Sequence, residues 1–497
     1  MENLNEFIKD DLAVLIAPAG HGKTTTIADY LLLCNDDECQ LVLTHTHAGI
    51  ASLRKKFTRK HVPSDRYQLE TITGFAQRYV LNFLGETVLP NLDDENYFDE
   101  AVIICTRLLS SPLLQKVITC SYQGIIIDEY QDCTYAQHLM IMAIGKQLPI
   151  HILGDDLQGI FSFEKKPMVN FSTDLAFFNK YKFLTTPWRW KESNPKLGDA
   201  IYGIRCALEA KEKVLLQDNP MAGLRVFSYA GDPNEFDVEY LRWLRYIIRS
   251  YESDSTLILS PSYHEIDKYG VERLRGDITD RINLKSKFDF SNSYTILDAI
   301  DSKNYYSIAK KFDVFLYNCL KGKRIKRVLH FYDIVEKNHF TKECLNKWIK
   351  RKENRFVQRT KYKEESMQLQ DLWNTYDLTP SMQNLYNLFY KFSKLPDMKC
   401  QYSGIRDTIL ICFKYAIHHS CSLYEAMKHL KSIIRHQGRI IEGKCIGTTL
   451  LTKGLEFDTV IILYPEKFED KKNFYVAISR ACMRLVFITQ KNVLTFD

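Results

Sequence analysis

The sequence predicts an α/β fold in two parallel-sheet domains, the second split by a long, mainly helical insertion. Three observations predict it. Short apolar runs, LAVLIA (12–17), LVLTHT (41–46), GIIIDE (124–129) and IHILGD (150–155), alternate with helical stretches over residues 1–205. Runs this short and continuous suit parallel strands buried on both faces, and alternation with helices gives a doubly wound sheet. Further strand-like runs, LRVFSY and STLILS, lie within 223–262, and DTVIIL (458–463) and RLVFIT (484–489) come late in the chain. Between them, residues 266–435 are rich in Lys, Tyr and Asn and carry few strand signals. The expected domains are therefore 1–205, 206–265 together with 436–497, and a helical insertion over 266–435.

Composition narrows the class. A chain of 497 residues is too long for one core. No run of eighteen apolar residues is present, so no membrane span is expected. The N-terminal MENLNEFIKDD lacks an apolar signal core and reads as cytoplasmic. Thirteen cysteines without a CxxC pair suggest reduced thiols and no zinc site. The net charge of +6 is uneven: Lys321 to Lys363 holds fifteen Lys/Arg against four Asp/Glu, which leaves the remainder acidic. Tyr332, Trp348, Phe356 and Tyr362 interleave that basic block. Both a polyanion-facing surface and a solvated helical face fit it.

The first strand runs into APAGHGKTT (17–25), and a helical stretch follows. A glycine-rich turn between strand and helix cradles phosphates with backbone N–H groups, here those of Ala19, Gly20, His21, Gly22 and Thr25. Lys23 is placed to reach the β and γ phosphates, and the Thr24 hydroxyl to hold Mg²⁺. The spacing predicts a nucleoside triphosphate site. The general pattern has Gly where this chain has Ala17.

The chemically loaded residues follow strand ends, where ligands of open α/β sheets bind. Asp128-Glu129 ends a run of three isoleucines. An aspartate there suits Mg²⁺, and the adjacent glutamate suits polarising a water. His45 and His47 have no Cys or carboxylate at ligand spacing, which argues against a metal pair.

Taken together, eight segments in order resemble superfamily 1A helicases of the UvrD/Rep/PcrA type. They are APAGHGKTT, LTHTHAGIASLRKK, TITGFAQR, IIIDEYQD, LGDDLQGIFSF, TPWRW, TLLTKGLEFD and FYVAISRA. Ala17 is ordinary in that family. The resemblance implies two RecA-like domains, a short 1B insertion over about 79–120, and a 2B-like insertion over 266–435. It implies an ATP- and Mg²⁺-dependent, 3′ to 5′ DNA motor acting on single-stranded DNA or a tailed duplex. By resemblance, Asp128 holds the metal with Thr24 and Glu129 is the catalytic base. Gln158 senses the γ-phosphate, Trp188 stacks on the base, and Arg189 and Arg480 clamp the γ-phosphate. Gly454 and Glu456 lie between nucleotide and strand sites. Phe163 stacks on a DNA base, and Thr46, His47 and Thr71 touch the strand.

The chain departs from the family at four places. Its first glutamine is Gln40, so no upstream glutamine reads adenine. Glu164 stands where an arginine is usual, and Leu450-Leu451 replaces His-Ser. The sequence ends at Asp497, soon after Arg480, leaving little room for a strand-separating hairpin. In size and motif style the chain also resembles small helicase-like subunits paired with nucleases, as in the Gabija antiphage system. The alternative reading is therefore a nucleotide-gated DNA-sensing regulatory subunit of a nuclease complex.

Overall fold

The computed structural model describes residues 2–90, 94, 96–160, 166–229, 237–266, 270, 272–289, 293–298, 303–322, 327–437 and 443–496. The chain divides into a larger unit, Met1–Asp277 with Gly438–Asp497, and a smaller one, Ile278–Gln437. The smaller unit starts after the antiparallel hairpin Tyr263–Ile266/Glu272–Arg275, so it begins later than the sequence pattern suggested.

The larger unit holds two large parallel sheets. The first has six parallel strands: β1 (Leu12–Ile16), β2 (Gln40–Thr44), β3 (Tyr67–Thr71), β4 (Gly124–Ile127), β5 (Ile150–Gly154) and β6 (Asn179–Tyr181). Their order is β3-β2-β4-β5-β1-β6, so only β5 separates the phosphate-loop strand β1 from the carboxylate strand β4. β1, β2, β4 and β5 are the four apolar runs of the sequence. β3 (YQLET) and β6 (NKY) are polar edge strands without that signature, and tertiary pairing decides them. In the second sheet, β7 (Leu224–Ser228), β8 (Thr256–Leu259), β9 (Lys444–Gly447), β10 (Phe457–Leu463) and β11 (Ala481–Thr489) run parallel in the order β9-β8-β10-β11-β7.

Five helices position the site: α1 (Lys23–Leu33), α2 (His47–Arg59), α3 (Ile72–Leu84), α4 (Pro195–Glu209) and α5 (Lys471–Ile478). The segment expected as a short insertion, 79–120, adds two further helices, Tyr97–Leu108 and Pro112–Ser121. Their Ala101, Val102, Cys105, Leu114 and Ile118 sit in the first sheet's core with Ile125 and Ile127. No single helix among the described residues is long and apolar enough to cross a membrane.

The smaller unit is mainly helical around an aromatic core of Phe312, Phe331, Trp348, Phe389, Phe392 and Phe413. Here one reading of the basic block changes. Tyr332, Trp348 and Phe356 are at most 3% exposed and belong to this core, because aromatic area is worth more buried than offered to solvent. All four of the block's acids are paired with its cations: Asp333 with Arg351, Glu336 with Lys342, Glu343 with Lys347, and Glu353 with Lys350 and Arg355.

Candidate nucleotide-binding cleft

Strand ends from both sheets open onto one cleft of about 370 Å³ in the larger unit. It is lined by the phosphate loop, Asp128, Glu129, Asp132, Gln158, Trp188, Arg189, Lys453, Gly454, Glu456 and Arg480, among others.

The loop bends where glycine permits it. Gly20 and Gly22 have φ of +73° and +94°, the left-handed region that a side chain disfavours. A Cβ on Gly20 would also lie 2.9 Å from both Arg189 Cβ and the Trp190 ring. Lys23, 6% exposed, begins α1 and donates from Nζ to the Ala17 carbonyl at 2.8 Å. His21 Nδ1 donates to the Ala19 carbonyl at 2.9 Å. Burial, ahead of nearby Lys23 and Arg205, lowers the His21 pKa, which favours a neutral imidazole. Thr24 and Thr25 follow in the first turn of α1 and line the cleft.

Asp128 and Glu129 sit at the end of β4. Glu129 has φ +55°, rare for a non-glycine residue and a conformation the surrounding structure must hold. Its backbone N–H donates to Asp128 Oδ1 at 3.0 Å. Burial, then the Glu129 charge, pushes the Asp128 carboxyl up. Glu129 goes the other way. Burial would raise it, but Lys23, Lys453, the Gln131 amide and Arg480 together hold it down. Two adjacent carboxyls with opposite shifts mark a division of roles.

Two arginines complete the cleft, Arg189 from the short helix Trp188–Lys191 after β6 and Arg480 from the second sheet. Arg480 directly precedes β11 and is 2% exposed; it donates to the Val476 carbonyl (2.9 Å), the Leu455 carbonyl (3.3 Å) and Ser479 Oγ (2.7 Å). Burial and nearby Arg189 lower its pKa to about 10, so it stays charged at neutral pH. Arg189 donates to Glu456 at 2.7 Å and to the Ser479 carbonyl at 2.5 Å, and its Nε is buried without a hydrogen-bond partner. An orphaned guanidinium donor on a residue packed against Gly20 of the loop fits an anionic ligand, since such a group is costly to leave unmade. The raised Asp128 carboxyl beside Thr24 fits a divalent cation by donor chemistry, oxygen ligands for a hard metal. Among the described residues no cluster of three His, Cys, Asp or Glu forms a preassembled metal cage.

Other expected residues take varied places. Trp188 is 56% exposed next to Gly22, with Lys191 Nζ 4.2 Å from its ring centroid. Gly454 has φ +81° with open space around it. Thr46 and Thr71 cap α2 and α3 by accepting the N–H groups of Gly49 and Gly74, each at 3.0 Å. Thr71 is 4% exposed, so its hydroxyl is committed to the cap. His47 starts α2. Phe163 lies outside the described residues.

Sequence reading missed four residues that organise the cleft: Gln131, Asp132, Arg205 and Lys453. Gln131 donates to the Glu129 carboxylate, and Lys453 donates to Asp132 and to the Gln158 carbonyl. Gln131, Asp132 and Lys453 stand inside quoted segments. Arg205 on α4 stands in none.

Comparison with known proteins adds one match. Residues 86–178 match the family model for the UvrD/REP helicase N-terminal domain. No curated protein matches the chain. The matched stretch contains Asp128, Glu129 and Gln158, while the phosphate loop, Arg189 and Arg480 lie outside it. Over that stretch the chain is similar to UvrD/Rep-type superfamily 1A helicases, and the two parallel sheets and the cleft agree with that likeness.

Proposed function

We propose that the chain is a DNA-dependent ATPase that moves 3′ to 5′ along single-stranded DNA and unwinds tailed duplex. One observation carries the reading. Lys23, Asp128 and Glu129 of the first sheet face Arg189 and Arg480 in a single cleft. Hydrolysis of a phosphoanhydride needs little else: positioning, a polarised water and fixed positive charge in a dry site.

The roles follow from placement. The loop and Lys23 bind phosphates, and Thr24 with Asp128 would hold Mg²⁺. Bound there, Mg²⁺ supplies charge neutralisation on the phosphate oxygens. Glu129, kept ionised by its cationic neighbours, accepts a proton from water. Gln158 lines the same cleft, Trp188 offers a face for a nucleobase, and Gly454 and Glu456 border the cleft. Arg189 and Arg480 stabilise charge on the leaving phosphate. Thr46, His47, Thr71 and Phe163 remain the strand-side residues of this proposal, and the cytoplasm its compartment.

The experiment is ATP turnover by the purified chain with and without single-stranded DNA and RNA, paired with displacement of a tailed duplex. Turnover indifferent to DNA would sink the motor reading. The second reading, a regulatory DNA sensor for a nuclease partner, draws support from segment 79–120, whose helices pack into the sheet core. DNA-stimulated turnover without strand displacement would favour it.

A further inference from the structure

Arg205 is 5% exposed, and its guanidinium meets a carboxylate that is fully buried. Nη1 donates to Asp155 Oδ2 at 2.7 Å and Nη2 to Oδ1 at 2.9 Å, a two-pronged contact that fixes the carboxylate plane. Burial alone would raise the Asp155 carboxyl; Arg205, helped by Lys23 and Gln158, more than offsets it and keeps Asp155 ionised.

Asp155 has two dependants, one on its carboxylate and one on its backbone. Gln158 Nε2 donates to Asp155 Oδ2 at 2.8 Å. The Asp155 backbone N–H donates to Gln131 Oε1 at 2.9 Å, and the Gln131 amide in turn donates to the Glu129 carboxylate. The fork therefore holds Gln158 directly, and the backbone of the same aspartate reaches the Glu129 carboxylate through Gln131.

On its other face, Arg205 lies 5.0 Å from the Tyr475 ring centroid. The Tyr475 hydroxyl accepts the N–H of Ala19, in the phosphate loop, at 3.2 Å. Tyr475 sits on α5, the helix that leads to Arg480. Arg205 thus touches the first sheet's carboxylate network and the element carrying the second sheet's arginine.

We propose that Arg205 is a positioning residue that ties docking of α5, which leads to Arg480, to the orientation of Gln158 and, through the Asp155 backbone, of Glu129. The inference rests on the ATPase reading. A buried ion pair kept only for packing is often replaceable without loss, so a packing role and a positioning role predict different results.

The test compares the full chain with Arg205→Lys, Tyr475→Phe and Glu209→Gln. Lysine keeps the charge and loses the fork. Phenylalanine keeps the ring and loses the hydroxyl on Ala19. Glu209 is the half-exposed second carboxylate on Arg205 and serves as control. For Arg205→Lys, kcat falls about 100-fold, as expected when reacting groups are misplaced from a distance. Binding of a fluorescent ATP analogue stays within about threefold, because no phosphate contact is removed. In the nucleotide-free chain, amide exchange quickens at 155–158 and at Ala19 while the sheet strands stay protected. Tyr475→Phe quickens exchange at Ala19 and lowers kcat less. Glu209→Gln changes kcat by no more than about twofold.

Unchanged kcat in Arg205→Lys, or binding and turnover falling in proportion with protection lost throughout, overturns the proposal. If Arg205→Lys does not fold, Tyr475→Phe with unchanged exchange at Ala19 overturns it. A wild-type chain without ATP turnover sinks the ATPase reading instead, and the exchange comparison then decides the network.

Discussion

The Lys453 ammonium, just before β10, donates to both carboxylate oxygens of Asp132, just after β4, and to the Gln158 carbonyl. This ion pair crosses the cleft with both side chains under 10% exposed. It ties the two sheets together at the point where nucleotide is expected to act.

The pair makes stability depend on pH. Burial, the larger influence, pushes the Asp132 carboxyl up to about 7 despite Lys453. An unfolded aspartate titrates near about 3.9. Between roughly pH 4 and 7 the folded chain keeps a proton that the unfolded chain has lost, so this group's contribution to stability falls as pH rises through that window. Lys453→Ala moves the carboxyl higher still. Its deficit against wild type is small at pH 6 and grows toward pH 8, by up to about 1.4 kcal/mol per pH unit above 7. Urea melts at the two pH values check this; an equal deficit at both contradicts it.

Glu129→Gln separates binding from chemistry. The amide keeps the shape and still meets Gln131, but it takes no proton. ATP binding persists while turnover drops roughly 10²–10⁴-fold, the usual worth of a general base. Lys23→Ala costs turnover at least about 10²-fold and weakens binding as well. Single-turnover and equilibrium-binding measurements distinguish the two; normal turnover in Glu129→Gln removes it as base.

Arg480→Ala tests the contribution of the second sheet. Arginines that stabilise charge on a transferring phosphoryl group are worth about 10³–10⁵ in kcat. Arg480 also holds the Val476 and Leu455 carbonyls and Ser479 Oγ, so thermal melts accompany the kinetics. A large loss of kcat in a chain that melts normally assigns Arg480 to catalysis. A loss that tracks the melting temperature assigns it to packing.

Trp188 and Trp190 are two residues apart and have opposite fates. Trp188 is 56% exposed, whereas Trp190 is 2% exposed and donates from its indole N–H to the Ala481 carbonyl at 2.7 Å. Trp188→Ala raises KM for ATP and leaves the melt unchanged. Trp190→Ala costs about 3–5 kcal/mol of stability, the range for a buried aromatic truncated to alanine. Kinetics and melts on both variants check the contrast.

The fold was legible wherever strands are apolar. All eight short hydrophobic runs became strands, while β3, β6 and β9 escaped because they are polar, short or both. The phosphate loop and Asp128-Glu129 were legible because their chemistry depends on spacing along the chain. Arg189 and Arg480 came only from resemblance, since nothing local marks an arginine that acts across a cleft. Arg205 was invisible for the same reason, lying in a helix whose pattern reads as ordinary packing. The aromatics of the basic block misled because interleaving in sequence says nothing about which side of a helix is buried.

The interruption of the second sheet has a consequence for how the chain folds. β8 ends at Leu259 and its parallel neighbour β9 begins at Lys444, paired from Thr256 with Lys444 onward. During synthesis, the first sheet has all six of its strands by Tyr181. The second sheet waits for the whole intervening unit, and pairing over so long a separation is slow because loop closure comes before its reward. The nascent chain therefore exposes a phosphate loop and its carboxylates well before Arg480 exists to meet them. On the proposed ATPase reading, competence for hydrolysis arrives only with the last strands, so a truncated product would hold nucleotide without consuming it.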